Sequence, residues 1–150
     1  MADPLQHYRR YEDVYRQISE ELNRVRRVFR NADRFSQKVM LFDSSVFAVV
    51  SVQNDISILR QAFRGYCRSN TWKDVRDAFK SVNYGNNKFD YVRHNFDVIF
   101  GTTGDKIIDY LEASDVWGAT RIMVENLKGV SWIKAPFVGA MLGFEELMCI

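Results

Sequence analysis

Apolar residues recur near the start of the chain at alternating steps of three and four: Tyr8, Tyr11, Tyr15, Ile18, Leu22, Val25 and Phe29, with charged residues between them. This is the period of one helix face, and it predicts a helix over residues 5–31. The stripe keeps a heptad, so it has two uses: packing on the chain's own core, or forming a seam with a second copy or a partner chain. The other face carries Arg9, Arg10, Arg16, Arg24, Arg26, Arg27 and Arg30, offset by Glu12, Asp13, Glu20 and Glu21. It reads as a solvated, ion-paired surface.

The run Asp43-Ser-Ser-Val-Phe-Ala-Val-Val-Ser-Val52 predicts a short buried helix capped by Asp43 or Ser44. Its β-branched residues also suit a strand, but no alternation follows to pair with one. From Ile56 to about Arg68, a third helix would turn Ile56, Leu59, Ala62, Phe63 and Tyr66 inward, leaving Arg60, Arg64 and Arg68 as a basic stripe. Thr71-Trp-Lys-Asp74 has the spacing of a capping box and opens a helix to about Phe79. Asn83 to Asn87 is a loop by its turn residues. A helix from about Lys88 to Phe100 would bury Phe89, Val92, Phe96 and Ile99. Gly101 to Gly104 breaks it, Asp105 to Ala113 forms another, and Ser114 or Asp115 caps the next. Two short helices then flank a turn at Leu127-Lys-Gly-Val-Ser131, with Ile122, Met123, Leu127 and Val130 inward before it and Ile133, Phe137, Ala140 and Met141 after it. The fold expected is all-α, a single multi-helix domain over residues 1–150 that ends in a helix–hairpin–helix. There is no internal repeat and no low-complexity linker.

Composition narrows the function classes. The longest apolar run, Val46 to Val52, is far too short to span a bilayer, and Met1-Ala-Asp-Pro leads straight into a charged helix rather than a signal peptide. An intracellular location, cytoplasm or nucleoid, is expected, with no membrane partner. Cys67 and Cys149 are the only cysteines, and His7 and His94 lie far apart. Neither pair has metal-ligand spacing, so no metal and no cofactor are expected. A net charge of +2 is too mild to identify a nucleic-acid partner, so the distribution of charge has to do so.

The turn at 127–131 has the makings of an anion site. Gly129 sits where the chain reverses and can adopt φ > 0 without steric cost. The first amides of a helix have no internal partner and carry the positive end of its dipole, so a phosphate brought close by glycine can use both. Lys128 and Lys134 flank the turn, and Pro136 falls in or near the first turn of the second helix, where its missing N–H matters least. Read on its own, the same turn is equally an ordinary corner of an all-α core.

Leu127-Lys-Gly-Val-Ser-Trp-Ile-Lys-Ala135 resembles the signature Leu-Pro-Gly-Val-Gly-x-Lys-x-Ala of the helix–hairpin–helix DNA glycosylases of the endonuclease III type. Leu127, Gly129, Val130 and Ala135 match in register. Lys128 replaces the proline, Ser131 the second glycine, and Ile133 stands where bifunctional members carry their catalytic lysine. Lys134 is one position later, about a third of a turn away. Ser51-Val-Gln53-Asn-Asp55 is similar to the Ser-x-Gln that ends a buried helix in these enzymes, where the Gln fills the space of a flipped-out base and offsets part of the unstacking cost. The resemblance covers residues 40–150.

What it implies is binding of double-stranded DNA, damaged or abasic, for base-excision repair. Gln53 would be the wedge with Asn54 beside it. Lys128, Gly129, Val130 and Ser131 would hold phosphate, Arg60 and Arg64 would add contacts, and Lys134 would be a phosphate contact or a displaced lyase residue that forms a Schiff base at the sugar. The family's aspartate would be expected where this sequence reaches Met148-Cys-Ile150. Glu145 and Glu146 are the nearest carboxylates and precede that position. The resemblance therefore implies a glycosylase scaffold that is incomplete or weakly catalytic as this chain. The other reading is a non-enzymatic interaction protein on the same scaffold, assembling through helix 5–31 or through an exposed apolar C-terminus of Phe144, Leu147, Met148 and Ile150. The two readings part on one point: repair binding needs the arginines of the third helix, Gln53 and the hairpin on one concave face. No rival constellation emerges. Ser44, Ser45 and Ser51 lack a nearby histidine, and Gly101-Thr-Thr-Gly-Asp-Lys106 lacks Walker spacing.

Overall fold

The computed structural model describes residues 4–144, with side chains from Glu12 onward. The expectations that rest on Tyr8, Arg9, Arg10 and Tyr11, and on Glu145 to Ile150, lie outside those limits. Among the described residues there are eight helices and no strand: α1 (Pro4–Asn31), α2 (Arg34–Ser51), α3 (Ile56–Cys67), α4 (Trp72–Ala78), α5 (Gly85–Phe100), α6 (Thr102–Glu112), α7 (Val116–Asn126) and α8 (Lys134–Met141). The fold is all-α, as the periodicity predicts. None of these helices is long and apolar enough to cross a membrane.

α2 is the central element and packs on α3, α5, α6 and α8. Leu41, Val46, Ala48, Val49 and Val50 are all buried, the mark of a helix enclosed on several sides. It does not begin at Asp43 or Ser44. Its cap is Asp33, whose carboxylate accepts from the Ser36 amide at 2.7 Å, and Asp43 lies mid-helix accepting from the Tyr66 hydroxyl at 2.6 Å. The first two turns escape a hydrophobic reading because they dock through polar groups. Arg34 pairs with Asp109 at 2.9 Å, Lys38 with Asp105 at 3.2 Å, and buried Gln37 donates to the Phe29 carbonyl and to Glu112.

Other boundaries move for similar local reasons. α5 starts at Gly85, within the segment expected to be a loop, because Tyr84 turns left-handed (φ 57°) and Gly85 lies flat against the Phe79 carbonyl. The break before α6 shrinks to Gly101, since Gly104 lets the new helix press onto the end of α5: a Cβ there would stand 1.7 Å from the Ile99 carbonyl oxygen. The capping box of Thr71 and Asp74 forms as expected, and Asp115 rather than Ser114 caps α7.

Three inward assignments fail. Ile56 occupies the first position of α3 and is exposed. Ile133 precedes α8 and is 83% exposed, and Phe137 is partly exposed; Ala140 is buried and Met141 partly buried as expected, with Ala135, Val138 and Gly139 as the other buried positions. Phe144 is fully buried, edge-on to Phe29 at 5.8 Å, so it belongs to the core rather than to an exposed end. The stripe of α1 divides between its two readings: Phe29 is buried, Leu22 and Val25 are half-buried, and Tyr15 and Ile18 are exposed.

Gly104→Ala is expected to lower stability by about 1–3 kcal/mol or more, because backbone rather than a side chain must move to clear the contact. Denaturant unfolding measures it; a loss below about 1 kcal/mol would contradict this account of the α5–α6 corner.

Candidate nucleic-acid interface

α2 ends inside the protein, so its last carbonyls need donors from elsewhere. Asn54 supplies two, its amide donating to the carbonyls of Val50 (2.9 Å) and Val52 (3.1 Å). Lys88 on α5 supplies others, its Nζ donating to the same two oxygens, at 3.4 Å to Val50. Asn83 closes the turn from outside, its amide N–H donating to Asn54 Oδ1 and its side chain to the Gln53 carbonyl at 2.7 Å. Held in this way, Gln53 adopts φ 58°, a left-handed conformation that costs a non-glycine residue about 1 kcal/mol. Its side chain is exposed.

The hairpin turn is held from the same helix. Asn95, fully buried on α5, donates to the Lys128 carbonyl at 2.9 Å and accepts from the Lys128 amide at 2.8 Å. A neighbouring residue of α5, His94, places Nε2 at 3.1 Å from the Asn126 carbonyl. Gly129 follows with φ 74°, pressed so close to α5 that a Cβ would stand 2.9 Å from the Tyr91 ring. Ser131 stands just ahead of α8, its Oγ accepting from the amides of Ile133 and Lys134 at 3.3 Å each. The amides of Gly129 and Val130 take no acceptor among the described residues.

Between the two turns lies a cleft of about 380 Å³. It is lined by Val49 of α2 and Val52 just past its end, by Lys88 and Tyr91 of α5, and by Gly129, Val130 and Ser131 of the hairpin turn with Lys134 at the start of α8. Lys134 crosses it, donating from Nζ to Ser51 Oγ at 2.9 Å. The one-residue offset between Ile133 and Lys134 therefore has a definite outcome: Lys134 is the hairpin side chain in the cleft, and Ile133 faces solvent. The cleft's charge is cationic. Burial pulls the Lys88 ammonium below the ordinary lysine range, and the nearby charge of Lys134 pulls it further.

The site residues read from sequence therefore separate. Gly129, Val130, Ser131 and Lys134 line one cleft, with Gln53 one residue beyond its wall at Val52 and the Lys128 side chain exposed beside the turn. Asn54 is engaged within the fold on both its carbonyl and amide sides. Arg60 and Arg64, with Arg68, line a different depression on the outer face of α3 that shares no residue with the cleft. Lys88 and Tyr91 line the cleft and Asn95 clamps its turn, positions that periodicity alone does not single out. The available signal is that Lys88, Val92, Asn95 and Ile99 follow steps of four, three and four, two polar residues on the buried stripe of a helix. Among the described residues no group of three or more His, Cys, Asp or Glu is placed to hold a metal ion. No family model, no curated protein and no solved structure matches this chain.

Asn95→Ala is expected to cost about 1–3 kcal/mol, since it strands the Lys128 amide and carbonyl without partners. It is also expected to speed hydrogen exchange at Lys128 and Gly129 ahead of the rest of the hairpin. Exchange that rises uniformly over the whole chain would show Asn95 to be a general core residue rather than the clamp of this turn.

Proposed function

We propose that this chain is a reader of duplex DNA at a missing or flipped-out base, working as the helix–hairpin–helix glycosylases it resembles. One observation carries the reading: the Ser51–Gln53 turn and the Lys128–Ser131 turn, far apart in sequence, border a single cleft, tied by Lys134 Nζ on Ser51 Oγ at 2.9 Å. The chemistry of each wall suits a role on DNA. Free amides at Gly129 and Val130, with Lys128 and Lys134 beside them, match the oxygens of a backbone phosphate. Gln53, exposed beyond the opposite wall on a backbone held rigid by Asn83 and Asn54, suits insertion into the space a base leaves. Lys134 is the amine of the hairpin itself and the candidate for a lyase step at the sugar. The reading rests on binding, and base removal is a further step that it does not require.

A second reading, a helical interaction module that assembles through α1, draws on a separate observation. Tyr15 and Ile18 are exposed on the stripe of α1, and the arginines of α3 line a depression that shares no residue with the cleft, so the single concave face expected to join them to the hairpin is not formed and the duplex reading rests on the two turns alone.

Binding of a short duplex with a central abasic analogue, set against the intact duplex at several salt concentrations, separates the two. The abasic duplex is expected to bind more tightly, with a slope of log affinity against log salt of about −2, as for two phosphates neutralised. Gly129→Asp, which adds a carboxylate to the turn and strain at φ 74°, is expected to weaken binding at least tenfold (about 1.4 kcal/mol). Gln53→Gly should remove the preference for the abasic duplex without lowering stability, because glycine accepts the left-handed turn freely. No binding at low salt would exclude the DNA reading and favour assembly through α1.

A further inference from the structure

Two tryptophans stand on the surface beside the hairpin. Trp117, in the first turn of α7, is 58% exposed, and Trp132, just ahead of α8, is 53% exposed, whereas Trp72 is partly buried against Phe89 and Phe96. The rings of Trp117 and Trp132 meet, with centroids 6.5 Å apart and planes inclined by 48°. That separation is within the range of paired aromatic rings. Ile133, next to Trp132 in sequence, is also exposed. Apolar residues scattered singly over a surface are ordinary, but a contiguous exposed patch marks a place where something binds.

Both indoles sit on backbone that is held from within. Asp115 Oδ1 accepts from the Gly118 amide at 2.9 Å, and Gly118 lies so close to Tyr110 that a Cβ there would stand 2.5 Å from the ring. Trp132 follows Ser131, whose Oγ accepts from the amides of Ile133 and Lys134, and precedes Lys134, whose Nζ is bonded to Ser51. Rings presented on such fixed backbone lose little freedom when a partner binds.

The neighbouring turn narrows what that partner is. The amides of Gly129 and Val130, three and two positions before Trp132, take no acceptor among the described residues, and the Lys128 side chain beside them is exposed. Three residues of chain span at most about 11 Å, so the anion-binding amides and the indole serve one neighbourhood. An apolar protein surface would cover the rings and leave these amides without an acceptor. A nucleotide meets both demands in one unit, its phosphate suiting the amides and its base the indole. Within a duplex each base face is covered by its neighbours, so the base that fits is an unpaired one.

We infer that Trp117 and Trp132 form a stacking platform for an unpaired base of a nucleic-acid strand whose phosphate rests on the Gly129 and Val130 amides. This rests on the phosphate contact proposed above, and not on the preference for an abasic site. Stacking needs only the flat face that every base has, so single-stranded DNA and single-stranded RNA share the chemistry.

The test is the anisotropy of a fluorescein-labelled short oligothymidylate, and of the matching oligouridylate, titrated with the whole chain at low salt beside an intact blunt duplex. The single strands are expected to bind more tightly than the duplex, and the tighter of the two names the source. Trp132→Ala is expected to weaken single-strand binding about tenfold, as for the loss of one stacked base. Trp132→Phe, which keeps a ring, should recover most of that loss, and Trp132→Leu, apolar without a π face, should not. Both indoles are more than half exposed, so these variants are expected to keep the parent's melting temperature. Single-strand binding that depends on Trp132, in a chain without abasic preference, would uphold the platform and remove the abasic reading. Abasic preference with single-strand binding unmoved by Trp117→Ala and Trp132→Ala would overturn the platform and leave that reading in place. Full recovery with Trp132→Leu would also overturn it. So would an absence of strand binding at low salt, and self-association lost in the double alanine variant would then give the patch to a second copy of the chain.

Discussion

The cleft depends on one face of α5. Lys88 and Asn95 lie seven residues apart, two helical turns, which on an α-helix is a separation of about 10 Å along the axis. Each is buried, and each serves backbone groups of a different turn: Lys88 the last carbonyls of α2, Asn95 the amide and carbonyl of Lys128. Asn54 serves the two α2 carbonyls from within its own turn and Lys88 adds a second donor to each, whereas the Lys128 amide and carbonyl both pair with Asn95; leaving such groups unpaired inside the protein would be costly. A single rigid helix therefore sets the distance between the Gln53 turn and the Gly129 turn. Tyr91, between the two polar residues in sequence, fills the space that a side chain at position 129 would need.

This arrangement also decides the electrostatics. The chain is close to neutral overall, and most of its arginines belong to α1 and α3, outside the cleft. Positive charge in the cleft comes instead from two lysines brought together by folding, one from α5 and one from the start of α8. Their proximity has two electrostatic effects. It raises the local field that would attract a phosphate, and it lowers the proton affinity of the more buried amine.

Much of the architecture could be read from the residues. The helical class, the 28-residue α1, the Thr71 capping box, the Asp115 cap and the left-handed Gly129 turn follow from period, cap chemistry and glycine's freedom. What could not be read has a common cause. The start of α2 docks through Arg34, Gln37 and Lys38, and the clamps of the cleft are Lys88 and Asn95, so in both places polar side chains occupy positions that a hydrophobic pattern assigns to solvent. The same limit explains α8: Ile133 reads as an inward apolar residue, yet the helix begins one position later and turns Lys134 inward. At each of these points the partner that decides the outcome lies 8 to 83 positions away along the chain.

The most direct measurement is an amide chemical-shift map of the isotope-labelled chain, titrated at low salt with a short duplex that carries an abasic analogue. If α5 holds the two turns as one DNA-reading cleft, the largest shifts fall together on Val52 to Asn54 and Lys128 to Ser131, while the outer face of α3 and the exposed part of α1 change little. Shifts confined to α1 or to Arg60, Arg64 and Arg68, or no shifts at all, would contradict it.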